Sequence, residues 1–150
     1  MAEGAALSRR PVTGRGVVAR RAWAAVGIAV VVAAGLFVHT QLPDTAATDI
    51  AGDALYAVVA YLAVVFVAPR LASPWAGTIA AGWCVAVELF QLTGLPQVWG
   101  AAFSPIVLVL GTVFDARDLL IYVVTVAVVA AGDRLLRARR GDGRRAGATG

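Results

Sequence analysis

The run from Ala22 to Val38, AWAAVGIAVVVAAGLFV, carries no charge and follows five arginines, Arg9, Arg10, Arg15, Arg20 and Arg21. Such a run fills most of the ~20 residues that a helix needs to cross the hydrocarbon core of a bilayer. The chain as a whole points the same way, since 60% of its residues are hydrophobic and its mean hydropathy is +0.80. Soluble domains hold roughly 45–50% apolar residues. These features predict one compact membrane domain and leave no room for a separate soluble one.

Three further spans are predicted. The second starts near Asp49, an acid able to cap a helix, runs through GDALYAVVAYLAVVFVA and stops at Pro69 and Arg70. The third opens at Ser73 and Pro74, read as an N-cap and its following proline, and ends before Gly94 and Pro96. The fourth is DARDLLIYVVTVAVVAAGDRLL, whose charge-free part from Leu119 to Gly132 is short for a span, so Arg134 and Arg137 must snorkel at its end. The expected limits are about 22–39, 50–68, 74–93 and 117–136. They divide the chain into a basic tail (1–21), a four-span domain (22–136) and a basic disordered tail (137–150).

Arginine placement orients these spans. With the N-terminus inside, twelve of the thirteen arginines fall on the cytoplasmic side and only Arg117 lies outside. The segment from Pro96 to Phe114 is apolar but broken by Pro96, Gly100 and Pro105. As a fifth span it would reverse the charge asymmetry, so it is expected to form a re-entrant or interfacial half-helix at the outer side. A cleaved signal peptide is disfavoured by the long basic tail and by the spans that follow. The expected fold is therefore all-α: a four-helix transmembrane bundle with a short half-helix between spans three and four, and both termini cytoplasmic. The absence of lysine beside many alanines and valines suggests GC-rich coding DNA and a bacterial cytoplasmic membrane.

This topology gathers the membrane-embedded polar residues at the outer end. Asp53 and Tyr56 share one face of span two, Glu88 and Gln91 one face of span three, and Asp118 and Tyr122 one face of span four, with Asp115 and Arg117 beside them. Most of these residues have a plain structural reading. Asp115 and Asp118 suit the cap and first turn of a helix, and the tyrosines suit an aromatic belt. Glu88 is the exception. It sits at the carboxyl-terminal end of its helix, where the dipole disfavours negative charge, and it is tolerable there only with a partner or a proton. Arg117 is the expected partner, with Gln91 and Asp53 completing the hydrogen bonds.

The ordered segments GDALY (Gly52 to Tyr56), ELFQL (Glu88 to Leu92) and FDARDLLIY (Phe114 to Tyr122) resemble the small membrane family known as domain of unknown function 2809. That family is similar in layout to the VanZ-like proteins, named for a teicoplanin-resistance protein. The resemblance runs roughly from Ala22 to Arg134 and matches Gly52, Asp53, Tyr56, Glu88, Gln91, Asp115, Asp118 and Tyr122. It implies a multi-pass envelope protein without fixing an activity.

Two function classes remain. The outer cluster, net negative with four acids against one arginine, can bind an envelope component, a glycopeptide-type ligand or another group bearing positive charge, as the VanZ-like likeness implies. Alternatively the chain is a scaffold or accessory subunit, and the cluster only locks the bundle. No catalytic residue, metal site or cofactor is expected, because the sequence shows no nucleophile with a base, no histidine-rich spacing and no phosphate-binding glycine loop. Lone Cys84 cannot form an intrachain disulfide. Membrane lipids are the expected partners. The arginine tails act as topology signals that hold anionic lipid, not as a nucleic-acid surface.

Overall fold

The computed structural model describes residues 13–111 and 113–146. Among them the regular elements are all helical: α1 (Thr13–Gln41), α2 (Ala46–Val67), α3 (Ser73–Gln91), α4 (Leu95–Ala102), a 3-10 turn (Ser104–Ile106), α5 (Val107–Leu110) and α6 (Ala116–Ala146). Three helical stretches, Gly16–Gln41, Ala46–Val67 and Ala116–Arg139, are long and apolar enough to cross a membrane. The pair α3 and α4 makes a fourth apolar unit, bent by 86° where the two helices meet. Large apolar side chains such as Trp23, Val30, Phe66, Ile79, Leu120 and Val128 stand exposed around the bundle. Water rarely tolerates apolar patches beyond a few hundred Å² on a monomer, whereas hydrocarbon accepts them. The chain is a multi-pass membrane protein.

Helices α2, α3 and α6 pack on one another and form the core, while the backbone of α1 packs against α2 and reaches α6 through the Arg20 side chain. Small side chains make the close approach possible. Ala57 and Ala60 of α2 and Ala76 and Ala80 of α3 are buried, and a Cβ on Gly77 would lie 3.1 Å from the Ala130 Cβ of α6. Without a hydrophobic drive between helices in lipid, such small-residue contacts and interhelical hydrogen bonds hold a bundle together.

The helix ends differ from the sequence expectation. Helix α2 begins at Ala46, ahead of Asp49, because Thr45 and Thr48 form a reciprocal capping box: the Thr48 N–H donates to Thr45 Oγ1 at 3.3 Å and the Thr45 N–H to Thr48 Oγ1 at 2.9 Å. Ser73 does not cap α3. Ala72 holds the cap position, and the Ser73 hydroxyl, already inside the helix, turns to a partner on α6. Parts of the expected tails are helical: α1 includes residues 13–21, and α6 continues through 137–146 where a disordered tail was expected. Arginine and alanine are strong helix formers, and each helix extends one that is already nucleated. Residues 1–12 and 147–150 of those tails lie outside the described residues.

The broken segment folds as α4, the 3-10 turn and α5, and it returns to the bundle at one end. Two side chains tie its exit. The Tyr56 hydroxyl donates to the Val109 carbonyl at 2.8 Å, and Gln91 Nε2 donates to the Leu110 carbonyl at 2.9 Å. The chain then turns at Gly111 with φ 62°, where a Cβ would lie 2.5 Å from Gln91 Nε2. Only glycine fits that turn without strain or displacement.

Candidate functional site

The polar side chains named from the sequence do converge. Glu88, 1% exposed, is the centre. Its Oε1 accepts from the Tyr122 hydroxyl at 3.2 Å and from Gln91 Nε2 at 3.4 Å, and its Oε2 accepts from the Asp115 backbone N–H at 3.3 Å. The Tyr122 hydroxyl lies 3.4 Å from Asp53 Oδ1, so one phenol sits between the carboxylates of α2 and α3. The Tyr56 and Tyr122 rings pack with centroids 5.8 Å apart, and Trp83 Nε1 donates to the Tyr56 hydroxyl at 3.0 Å.

The expected pairing of Glu88 with Arg117 does not form. Arg117 lies in the first turn of α6 with its side chain 43% exposed, and its guanidinium faces Asp115 at 3.8 Å and Asp118 at 3.7 Å. The helix geometry explains the exchange. Asp115 precedes α6 and accepts the Arg117 backbone N–H at 2.8 Å, which keeps the first turn of α6 directly over Glu88. The dipole of α3 disfavours a carboxylate at its carboxyl-terminal end, but the amino-terminal end of α6, with its free N–H groups, favours one. Glu88 is therefore held by a second helix's terminus and by a phenol instead of by a guanidinium. Two buried oxygens in this cluster, Gln91 Oε1 and Asp118 Oδ1, have no hydrogen-bond partner among the described residues.

A second polar cluster, absent from the sequence reading, lies at the opposite end. Asp133 Oδ2 accepts from Ser73 Oγ at 2.6 Å, from Arg20 Nη2 at 2.7 Å and from the Tyr61 hydroxyl at 2.8 Å. Arg20 also donates to the Pro69 carbonyl at 2.7 Å and the Leu71 carbonyl at 2.9 Å, and Arg137 Nη1 donates to the Leu71 carbonyl at 3.1 Å. Arg21 reaches the Phe66 carbonyl at 3.1 Å, one of the carbonyls left free at the end of α2. Four helices and the α2–α3 turn thus meet at one carboxylate. The sequence signal was an acid closing the charge-free run of α6, hidden because its partners are far apart in the chain and because Arg20 looked like one more topology signal.

Between the clusters the core is apolar. Ala57, Ala80, Cys84, Val87 and Val126 are all buried, and the separation along α6 from Tyr122 to Asp133 is ~16 Å by helical rise. No group of three His, Cys, Asp or Glu among the described residues is placed to hold a metal ion.

Comparison with known proteins gives a family. The family described as "Protein of unknown function (DUF2809)" matches residues 42–126, a stretch that contains the whole Glu88 cluster and Tyr61 and Ser73 of the other, but not Arg20, Asp133 or Arg137. The match is narrower than the span from Ala22 to Arg134 expected from the sequence motifs. No curated protein and no solved structure matches the chain. With more than half of its length matched, the chain belongs to the DUF2809 family of proteins of unknown function.

Proposed function

We propose that this protein is a scaffold or accessory subunit of the bacterial cytoplasmic membrane, with both termini cytoplasmic, and that its outer polar cluster locks α2, α3 and α6 together. One observation carries this reading: Glu88 is 1% exposed and takes its hydrogen bonds from protein groups on α3, on α6 and at the start of α6. A dry, internally bonded carboxylate is what a lock between helices requires. Orientation rests on the arginines, twelve of thirteen on one side, with the Asp133 cluster at the inner end. Reporter fusions at Asp44 and Gln97 should read periplasmic and one at Gly150 cytoplasmic. A C-terminal fusion reading outside overturns the orientation.

A second reading is supported by two buried oxygens that lack a hydrogen bond among the described residues, Gln91 Oε1 and Asp118 Oδ1, the latter facing Arg117 Nε at 3.7 Å. Donors on an envelope ligand with a basic group, of the glycopeptide type suggested by the VanZ-like likeness, would satisfy them. The two readings separate in a melting experiment on the purified chain in detergent. A teicoplanin-type glycopeptide should leave the transition unchanged if the cluster is only a lock. A saturable rise in melting temperature that disappears in Asp118→Asn replaces the scaffold reading with the ligand one.

A further inference from the structure

The backbone of α1 packs against α2 and reaches α6 through the Arg20–Asp133 pair at one end, so the two helices stand apart above that pair and leave a groove with α2 as its floor. The groove holds a cavity of about 430 Å³ at the arginine-rich end of the bundle. Its walls change character along its length. Toward the middle of the membrane it is lined by apolar side chains, Leu62 and Val65 of α2 and Val129 of α6, and at the end it meets Arg20, Asp133 and Arg137. Its mouth opens toward lipid, since Trp23 on one wall is 69% exposed and Leu136 on the other 56%.

The charges at the closed end are not balanced. Asp133 is paired with Arg20 at 2.7 Å. Arg137 has no carboxylate within ion-pair distance among the described residues, and only its Nη1 has hydrogen-bond partners there, the Leu71 carbonyl at 3.1 Å and Ser73 Oγ at 3.5 Å. Its Nε and Nη2 donors remain, and together they form the planar edge that binds two oxygens of a phosphate side by side. A site with one unbalanced guanidinium at head-group depth and a hydrocarbon-lined trough below it matches one chemistry: a phosphate diester carrying an acyl chain. We propose that this groove binds a single anionic phospholipid, the phosphate on Arg137 and one acyl chain lying between α1 and α6 along the α2 floor. A free phosphate would gain nothing from the apolar trough, and a zwitterionic lipid would bring its own cation to a site that already carries excess positive charge.

The full-length chain, purified in detergent and titrated with phosphatidylglycerol, should retain about one lipid per chain in native mass spectrometry. Phosphatidylcholine with the same acyl chains should be retained at least tenfold less. Arg137→Gln should reduce phosphatidylglycerol retention by about tenfold, the scale expected for losing a charge-assisted hydrogen bond. Arg139→Gln, the same loss of charge outside the groove lining, should reduce it little. Equal loss in the two variants, equal retention of the two lipids, or full competition by millimolar inorganic phosphate overturns the proposal. Should Arg137→Gln fail to fold, the unaltered protein still decides the matter. Phosphatidylglycerol with a photoreactive acyl chain should label the peptides around Trp23, Val65 and Val129, and labelling spread evenly over the lipid-facing helices overturns the assignment.

Discussion

Asp133→Ala is expected to destabilise the folded chain in detergent by about 2–4 kcal/mol, the largest effect of any single substitution at this end of the bundle. Removing one partner of a fully desolvated ion pair costs roughly 3–5 kcal/mol because the other charge is left alone. Here the side chains of Arg20 and Asp133 are 15% and 24% exposed, so solvent relieves part of that penalty. The loss does not fall to the near-zero value of a surface pair, because the Tyr61 hydroxyl and Ser73 Oγ lose the same acceptor. Asp133→Asn keeps one acceptor oxygen and should cost about half as much. Unfolding followed by denaturant titration in micelles measures both. A loss below about 0.5 kcal/mol for the alanine variant would mean that the four helices do not depend on this carboxylate.

Glu88→Ala should cost a comparable amount, about 2–4 kcal/mol, at the other end. Its removal strands the Tyr122 hydroxyl, the Asp115 backbone N–H and the Gln91 amide, and a buried donor without an acceptor costs about 1–3 kcal/mol. Relief of repulsion from the neighbouring acids offsets some of this. Glu88→Gln should be milder, since its carbonyl still accepts from Tyr122 while its amide faces a backbone donor. Arg117→Gln should change stability by less than about 1 kcal/mol, because its pairs with Asp115 and Asp118 are long, at 3.8 and 3.7 Å, and its guanidinium is 43% exposed. Thermal unfolding of the three variants gives the ranking. If Arg117→Gln destabilises as much as Glu88→Ala, the cluster is held by the guanidinium and not by the start of α6.

The residues of the Glu88 cluster were legible because their helical spacing is local. Glu88 with Gln91 and Asp118 with Tyr122 stand three and four apart, so each pair had to share a face. The partner of Glu88 was not legible. Charge complementarity favoured Arg117, but the direction of a side chain in the first turn of α6 depends on how that helix sits over α3, and this aims Arg117 outward and the Asp115 N–H inward. The limits of α2 and α3 shifted for a related reason: Thr45 with Thr48 outcompeted Asp49 as a cap, and Ser73 was claimed by Asp133.

The sequence by itself determined the solvent, the class and the family: its uncharged runs demand a bilayer, its breaks at Pro96, Gly100 and Pro105 prevent an unbroken helix there, and its motifs carry the family match. These follow from composition and spacing along a single chain, which helix geometry and hydrocarbon thickness convert directly into spans. Tertiary structure alone decided that Asp133, with no local sign of importance, joins Arg20, Tyr61 and Ser73, and that the backbones of α1 and α6 stand apart beyond that junction to leave a groove. Both depend on which helix faces touch, and those faces are chosen by the fit of small residues such as Ala57, Ala76 and Gly77 between distant segments, a condition that no single stretch of the chain contains.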